Sequence, residues 1–217
     1  MLKLHSVRVR IGDQLVLRDV SLDIAPARAA VLIGRNGAGK TTTLRTVMGL
    51  LPLQAGRISL DDLDLAALPA YERARHGIGY APEDRRLIAD FSVEENLLLP
   101  ALALALPERE RRRRLDDVYL LLPQLAALRS RPGGVLSGGQ GKIAALGRAL
   151  MAGTRYVLLD EPFQGLAPAI AHNYANTLAR LRQQRGELGL LVTESSTKFL
   201  ANMADTVLQI ERGEMVE

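Results

Sequence analysis

The sequence of 217 residues has no cysteine and no tryptophan, and only 4% of it is aromatic. Without cysteine there can be no disulfide, no thiolate zinc site and no thiol nucleophile, which suits a reducing compartment. With so few aromatics the core must be aliphatic. Long apolar runs are missing too. The longest, Leu97 to Leu106, is interrupted by Pro100 and is about half of what a membrane span needs. The start, Met1 to Arg8, has no apolar h-region, so no secretory leader is expected. No internal repeat or low-complexity linker is evident. Of the three histidines, none has metal-ligand spacing. His5 and His172 read as surface or packing residues, and His76, just before Gly77, as the end of a helix.

The remaining composition is that of a globular protein, 47% hydrophobic and 24% charged, and the length suits a single domain over 1–217. The formal charge is +4, from 28 basic and 24 acidic residues. The densest basic cluster is Arg109 with Arg111 to Arg114, flanked by Glu108, Glu110, Asp116 and Asp117. It reads as a solvated helix face with i,i+4 pairs. A contact with anionic lipid headgroups is the sharper alternative. No aromatics interleave with these arginines, so no nucleic-acid partner is expected.

Gly34-Arg35-Asn36-Gly37-Ala38-Gly39-Lys40-Thr41 fits G-x-x-x-x-G-K-[ST], a loop whose backbone N–H groups cradle nucleotide phosphates. Lys40 would reach the β- and γ-phosphates, and the Thr41 hydroxyl would bind Mg²⁺. The apolar run Ala29 to Ile33 before the loop reads as a buried parallel strand, and Thr42 to Leu51 after it as a helix. Arg155-Tyr156-Val157-Leu158-Leu159-Asp160-Glu161 is an apolar strand ending in two acids. In α/β sheets such ends face the ligand crevice. Asp160 would orient Mg²⁺ through water, and Glu161 would accept a proton from the attacking water. Leu136-Ser137-Gly138-Gly139-Gln140 opens an Ala- and Leu-rich helix, with Ser137 as its cap and an anion site at its N-terminus.

The remaining elements follow from pattern. Residues 3–24, with a Gly12-Asp13 turn, predict an antiparallel hairpin joined by Arg57 to Leu60. Ile78–Ala81, Leu188–Thr193 and Thr206–Ile210 read as strands. Helices are expected from Val93, behind the capping box Ser92-Val93-Glu94-Glu95, and over Pro107–Leu122 and Pro168–Arg185. The alternation implies a parallel sheet with helices on both faces.

GRNGAGKTT, LSGGQ and YVLLDEP, in this order and spacing, resemble the ATP-binding subunit of ABC transporters over essentially the whole chain. The resemblance implies an α/β P-loop NTPase (RecA-like) core with an antiparallel β subdomain and a helical subdomain inserted at roughly 84–150. It implies ATP and Mg²⁺ as cofactors, with Gly34, Asn36, Gly37, Ala38, Gly39, Lys40, Thr41 and Thr42 on the phosphates. In that family two subunits face head to tail, so Ser137 to Gln140 would complete the site of a second ABC ATPase subunit. A transmembrane permease and, indirectly, an external binding protein are the other implied partners. The place of action is the cytoplasmic face of the membrane, with Glu83–Leu99 docked on the permease.

Several positions depart from the family pattern. Ile11 stands where an adenine-stacking aromatic is usual. Glu83, expected as a metal or water ligand, replaces the lid glutamine. Phe163-Gln164-Gly165-Leu166-Ala167-Pro168 replaces the usual aspartate loop, and Ser195 stands at the switch histidine. Pro82-Glu83 and Gly165 to Pro168 resemble the smaller ATPase of branched-chain amino acid importers, as do Asp84-Arg85-Arg86 and Phe91 to Leu97. The departures leave a second reading open, a nucleotide-gated clamp whose partner does most of the hydrolysis. ATPases acting on ribosomes or DNA usually carry paired cassettes or long insertions, and this chain has neither.

Overall fold

The computed structural model describes residues 1–200 and 203–216. Its strands are β1 (Leu2–Ile11), β2 (Gln14–Ile24), β3 (Ala29–Ile33), β4 (Ala55–Leu60), β5 (Leu63–Asp64), β6 (Ile78–Ala81), β7 (Tyr156–Asp160), β8 (Gly189–Glu194), β9 (Thr206–Glu211) and β10 (Glu214–Val216). They form one sheet in the order β5-β4-β1-β2-β10-β9-β3-β8-β7-β6. The segment β9-β3-β8-β7-β6 is wholly parallel. β1, β2, β4 and β5 pair antiparallel, and one parallel pair, Asp19 with Glu214, joins the two regions.

The helices are α1 (Lys40–Val47), α2 (Ala70–Arg75), α3 (Val93–Ala103), α4 (Glu108–Leu121), α5 (Pro123–Ala126), α6 (Gly138–Ala152) and α7 (Pro168–Gln184). Apolar residues of the parallel strands alternate between two cores, as a pleated backbone buried on both faces requires. Ala29, Val31, Val157, Leu159, Leu190 and Val192 face the core built with α3 to α7. Ala30, Leu32, Tyr156, Leu158 and Leu191 face the core shared with α1 and the antiparallel strands.

Most expected elements appear within a residue or two. The helix after the phosphate loop does not: it starts at Lys40 and ends at Val47, not Thr42 to Leu51. The loop feeds directly into helical geometry. Gly49, at φ +72°, then takes the left-handed conformation that ends it. The capping box at Ser92 is complete, with Glu95 N–H donating to Ser92 Oγ and Ser92 N–H donating to Glu95. Asn96 behind it is fully buried, donates to the carbonyls of Ile88, Phe91 and Ser92, and accepts from Ile88 N–H. It therefore knots the chain that leads into α3. On α4 the basic cluster forms the expected local pairs, Arg112 with Glu108, Arg113 with Glu110 and Asp117, and Arg114 with Glu110. Among the described residues no helix is long and apolar enough to cross a membrane.

Candidate functional site

The phosphate loop leaves β3 and enters α1. Gly37 and Gly39 sit at φ +80° and +115°, conformations that L side chains rarely adopt. A Cβ on Gly39 would come within 2.7 Å of Leu17. No side chain caps α1 and no acid lies in its first turn, so its first N–H groups stay available to an anion.

Lys40 opens α1 and is almost fully buried. Its Nζ donates to the carbonyls of Gly34 (2.6 Å) and Arg35 (3.1 Å) and pairs with Glu161 Oε1 at 2.9 Å. Asp160, the last residue of β7, accepts three hydroxyl bonds: Thr41 (3.0 Å) and Thr193 (2.9 Å) on Oδ1, and Tyr80 (3.0 Å) on Oδ2. Burial first, and then the Asp160 charge, push the Tyr80 phenol well above its ordinary range, so it stays a donor.

Glu161 stands at φ +43°, a left-handed turn just past the strand end. Its N–H bonds Thr193 O at 3.1 Å, and its carbonyl accepts from Lys142 Nζ at 2.6 Å. The Ser195 hydroxyl lies 3.4 Å from Glu161 Oε2 and 3.3 Å from Asn36 Oδ1. Buried Glu194 precedes it and accepts from Phe163 N–H at 2.8 Å. Burial pushes the Glu194 carboxyl up to about 7, and the nearby Glu161 charge adds to that rise.

A cavity of about 420 Å³ opens over these groups. Asn36, Gly37, Gly39, Lys40, Thr41, Thr42, Glu83 and Glu161 line it, with Gln14, Val16 and Gln164. The expected phosphate, lid and base residues thus converge. Gly34 contributes the carbonyl that holds Lys40, and Ala38 is buried beneath the loop. Ile11 does not line this cavity: it ends β1 with 48% of its surface exposed, and Val16 of β2 lines it instead. Ser137, Gly139 and Gln140 line a separate cavity of about 830 Å³ with Ile143 and residues of α7. Gly138 lies between them with open space where a Cβ would stand. Ser137 and Gln140 form a second complete capping box on α6. The phosphate loop and the Ser137–Gln140 helix cap therefore line two separate cavities in one chain.

The donor set fits Mg²⁺. Thr41 gives its proton to Asp160, which leaves its oxygen lone pairs free for a cation. Asp160 accepts three hydroxyl bonds and keeps one lone-pair position on Oδ2, through which it would hold a water on the ion. No cluster of three His, Cys, Asp or Glu side chains suited to a metal occurs among the described residues.

Tyr80, Thr193, Lys142 and Glu194 were missed from sequence. Thr193 and Glu194 end the apolar run of β8, and Lys142 is one of two cations, with Arg148, in an Ala/Leu helix. Those two interruptions were the available signals. Tyr80 gave none until β6 was placed beside β7.

Comparison with known proteins gives a consistent result. The family model described as ABC transporter matches residues 17–164. A probable ABC transporter ATP-binding protein of Azorhizobium caulinodans is 37% identical over 93% of this chain and 71% of its own length. The lipopolysaccharide export system ATP-binding protein LptB of Escherichia coli K12 is 34% identical over 93% and 83%. The high-affinity branched-chain amino acid transport ATP-binding protein BraG of Pseudomonas aeruginosa is 33% identical over 100% and 91%. Among solved structures, the ADP conformation of MJ1267, an ATP-binding cassette of an ABC transporter, superposes with a TM-score of 0.83. It is 26% identical and is covered over 89% of its length by the whole of this chain. With a phosphate loop, a strand-end acid pair and a separate LSGGQ helix cap on one P-loop NTPase fold, the chain belongs to the ABC transporter family, as an ATP-binding subunit.

Proposed function

We propose that this ABC ATPase energises a separate permease that imports branched-chain or related amino acids, working at the cytoplasmic face of the membrane. The observation that carries the catalytic part is the meeting of Lys40, Thr41 and Glu161 at one cavity, with Asp160 bonded to the Thr41 hydroxyl behind it. Lys40 and the N–H groups of the loop bind the phosphates. Bound Mg²⁺ would supply neutralisation of phosphate charge. Glu161 takes the proton of the attacking water, and Asp160 holds Thr41 and orders water beside it. Glu83 and Ser195 border the far end of the phosphates, where a carboxylate and a neutral hydroxyl stand in place of stronger donors. Val16, which lines the cavity where Ile11 does not, offers apolar surface toward the base.

ABC ATPase cassettes dimerise and work with transmembrane permease components. In this reading Ser137 to Gln140 cap the nucleotide of a second subunit, identical or not. That explains why they lie on their own cavity rather than over Lys40. Residues 84–150, which carry α3 to α5 and most of α6, form the helical subdomain, and Glu83–Leu99 meets the permease.

End-to-end similarity to BraG, together with Pro82-Glu83 and Gly165-Leu166-Ala167-Pro168, supports amino-acid import. Similarity to LptB at comparable identity favours a second reading, lipopolysaccharide export. Reconstitution of the chain with its co-purified permease separates them. Stimulation of ATP hydrolysis by an amino-acid-loaded binding protein is the expected result. Stimulation by lipopolysaccharide alone would replace it with the second reading. The dimer is tested with Glu161→Gln, ATP and Mg²⁺, where sedimentation should show a shift to two cassettes.

A further inference from the structure

Lys142 has no part in the roles assigned so far. It lies on α6 two residues after Gln140, is only 8% exposed, and donates 2.6 Å to the carbonyl of Glu161. Burial holds its ammonium below the ordinary lysine range, while the charges of Glu194 and Glu83 oppose that shift. Burying a cation in a helix otherwise rich in alanine and leucine is unfavourable unless its hydrogen bonds matter. The carbonyl it grips belongs to a residue in the left-handed region, at φ +43°. Such a backbone persists only where its surroundings over-determine it. Here they do so from both sides. The Glu161 N–H is fixed by Thr193 of β8, and the Glu161 carbonyl by Lys142 of α6.

We propose that Lys142 is a positioning residue: by holding the Glu161 carbonyl it keeps that turn left-handed and the carboxylate aimed into the cavity. The proposal rests on Glu161 being the general base. It deepens that reading, because α6 begins at the Ser137–Gln140 cap. A second subunit that seats on the cap presses on the helix that aligns the base of this chain.

The test uses the full chain with its partner complex and four variants: Lys142→Met, Lys142→Gln, Glu161→Gln, and Glu161→Gln with Lys142→Met. Loss of one charge-assisted bond that matters in the transition state predicts a kcat for ATP about 10- to 100-fold lower in Lys142→Met, at a KM and nucleotide Kd that do not rise. Lys142→Gln, which keeps a neutral donor, should fall between Lys142→Met and the natural chain. In the Glu161→Gln background, Lys142→Met should cause no further loss, because the two act as a unit. A natural kcat in Lys142→Met overturns the proposal. So does a matching loss of nucleotide affinity, a further drop in the double variant, or a glutamine variant no better than methionine. Should Lys142→Met fail to fold, Lys142→Gln decides alone: lowered kcat at a KM that does not rise supports the role, and a natural kcat or raised KM overturns it. Glu161→Gln with full turnover would instead remove the base assignment itself, so the two failures are told apart.

Discussion

Replacing Glu161 by Gln should do more than stop hydrolysis: it should make the protein bind ATP more tightly. The reason is the ion pair between Lys40 Nζ and Glu161 Oε1, 2.9 Å long with both side chains buried. An incoming phosphate needs the same cation, so substrate must displace the carboxylate. The gross attraction at that distance is about 6 kcal/mol for an effective dielectric constant of 20. Most of it is offset by desolvation and by the hydrogen bond that an amide keeps, leaving about 1.5–3 kcal/mol. Glu161→Gln should therefore bind a non-hydrolysable ATP analogue with Mg²⁺ about 10- to 100-fold more tightly than the natural chain. Titration calorimetry reads this directly, and hydrolysis should fall about 10²- to 10⁴-fold in the same variant. Repulsion between Glu161 and the γ-phosphate would also weaken natural binding. Only the ion pair, however, predicts that the nucleotide-free variant is less stable, by about 1–3 kcal/mol, because Lys40 then keeps two carbonyls and no counter-charge. Equal affinity for the analogue, or a nucleotide-free variant as stable as the natural chain, refutes the reasoning.

Three further outcomes are expected. Ser195→His, beside Glu161 and Asn36, should raise turnover about tenfold if it recovers roughly 1.4 kcal/mol of transition-state stabilisation; an unchanged rate at saturating ATP would mean that another group fills the switch role. Glu194, pushed up to about 7, contributes stability below the unfolded-state value near 4.5 and loses it as pH rises through 7. Glu194→Gln should then be more stable than the natural chain at pH 8, on the order of 3 kcal/mol, with the gap closing toward pH 4.5 in thermal melts; a gap independent of pH would refute it. Gly39→Ala should abolish nucleotide binding while far-UV circular dichroism is kept, since its Cβ would strike Leu17 and its φ of +115° is barred to alanine.

The parts of this site that follow from local chemistry were legible in the chain. Glycines at fixed offsets from Lys40 and Thr41, an apolar strand closed by Asp160 and Glu161, and Ser with Glu or Gln three residues on are short-range statements. The structure reproduces each of them. Groups that act across the sheet were not legible. Tyr80 and Thr193 reach Asp160 only because β6 and β8 flank β7 in parallel register, and Lys142 reaches Glu161 from nineteen residues back in the chain. Periodicity marks such residues as interruptions but does not say what they touch. The end of α1 was misjudged for a related reason. Leu50 and Leu51 continue the apolar pattern, while the left-handed Gly49 ends the helix.

Helix α6 holds a second loop besides the one at Glu161. Arg148 donates both arms of its guanidinium to the carbonyls of Arg85 and Arg86, two consecutive residues at φ +62° and +49° that follow Glu83. Lys142 and Arg148 are six residues apart, about 9 Å along the axis at the usual rise. An α-helix of this length is stiff, so the two grips are held at a fixed separation. One continuous helix therefore anchors both the turn that carries the Glu161 carboxylate and the loop that follows Glu83, so removing either cation unties one loop from the element that still holds the other.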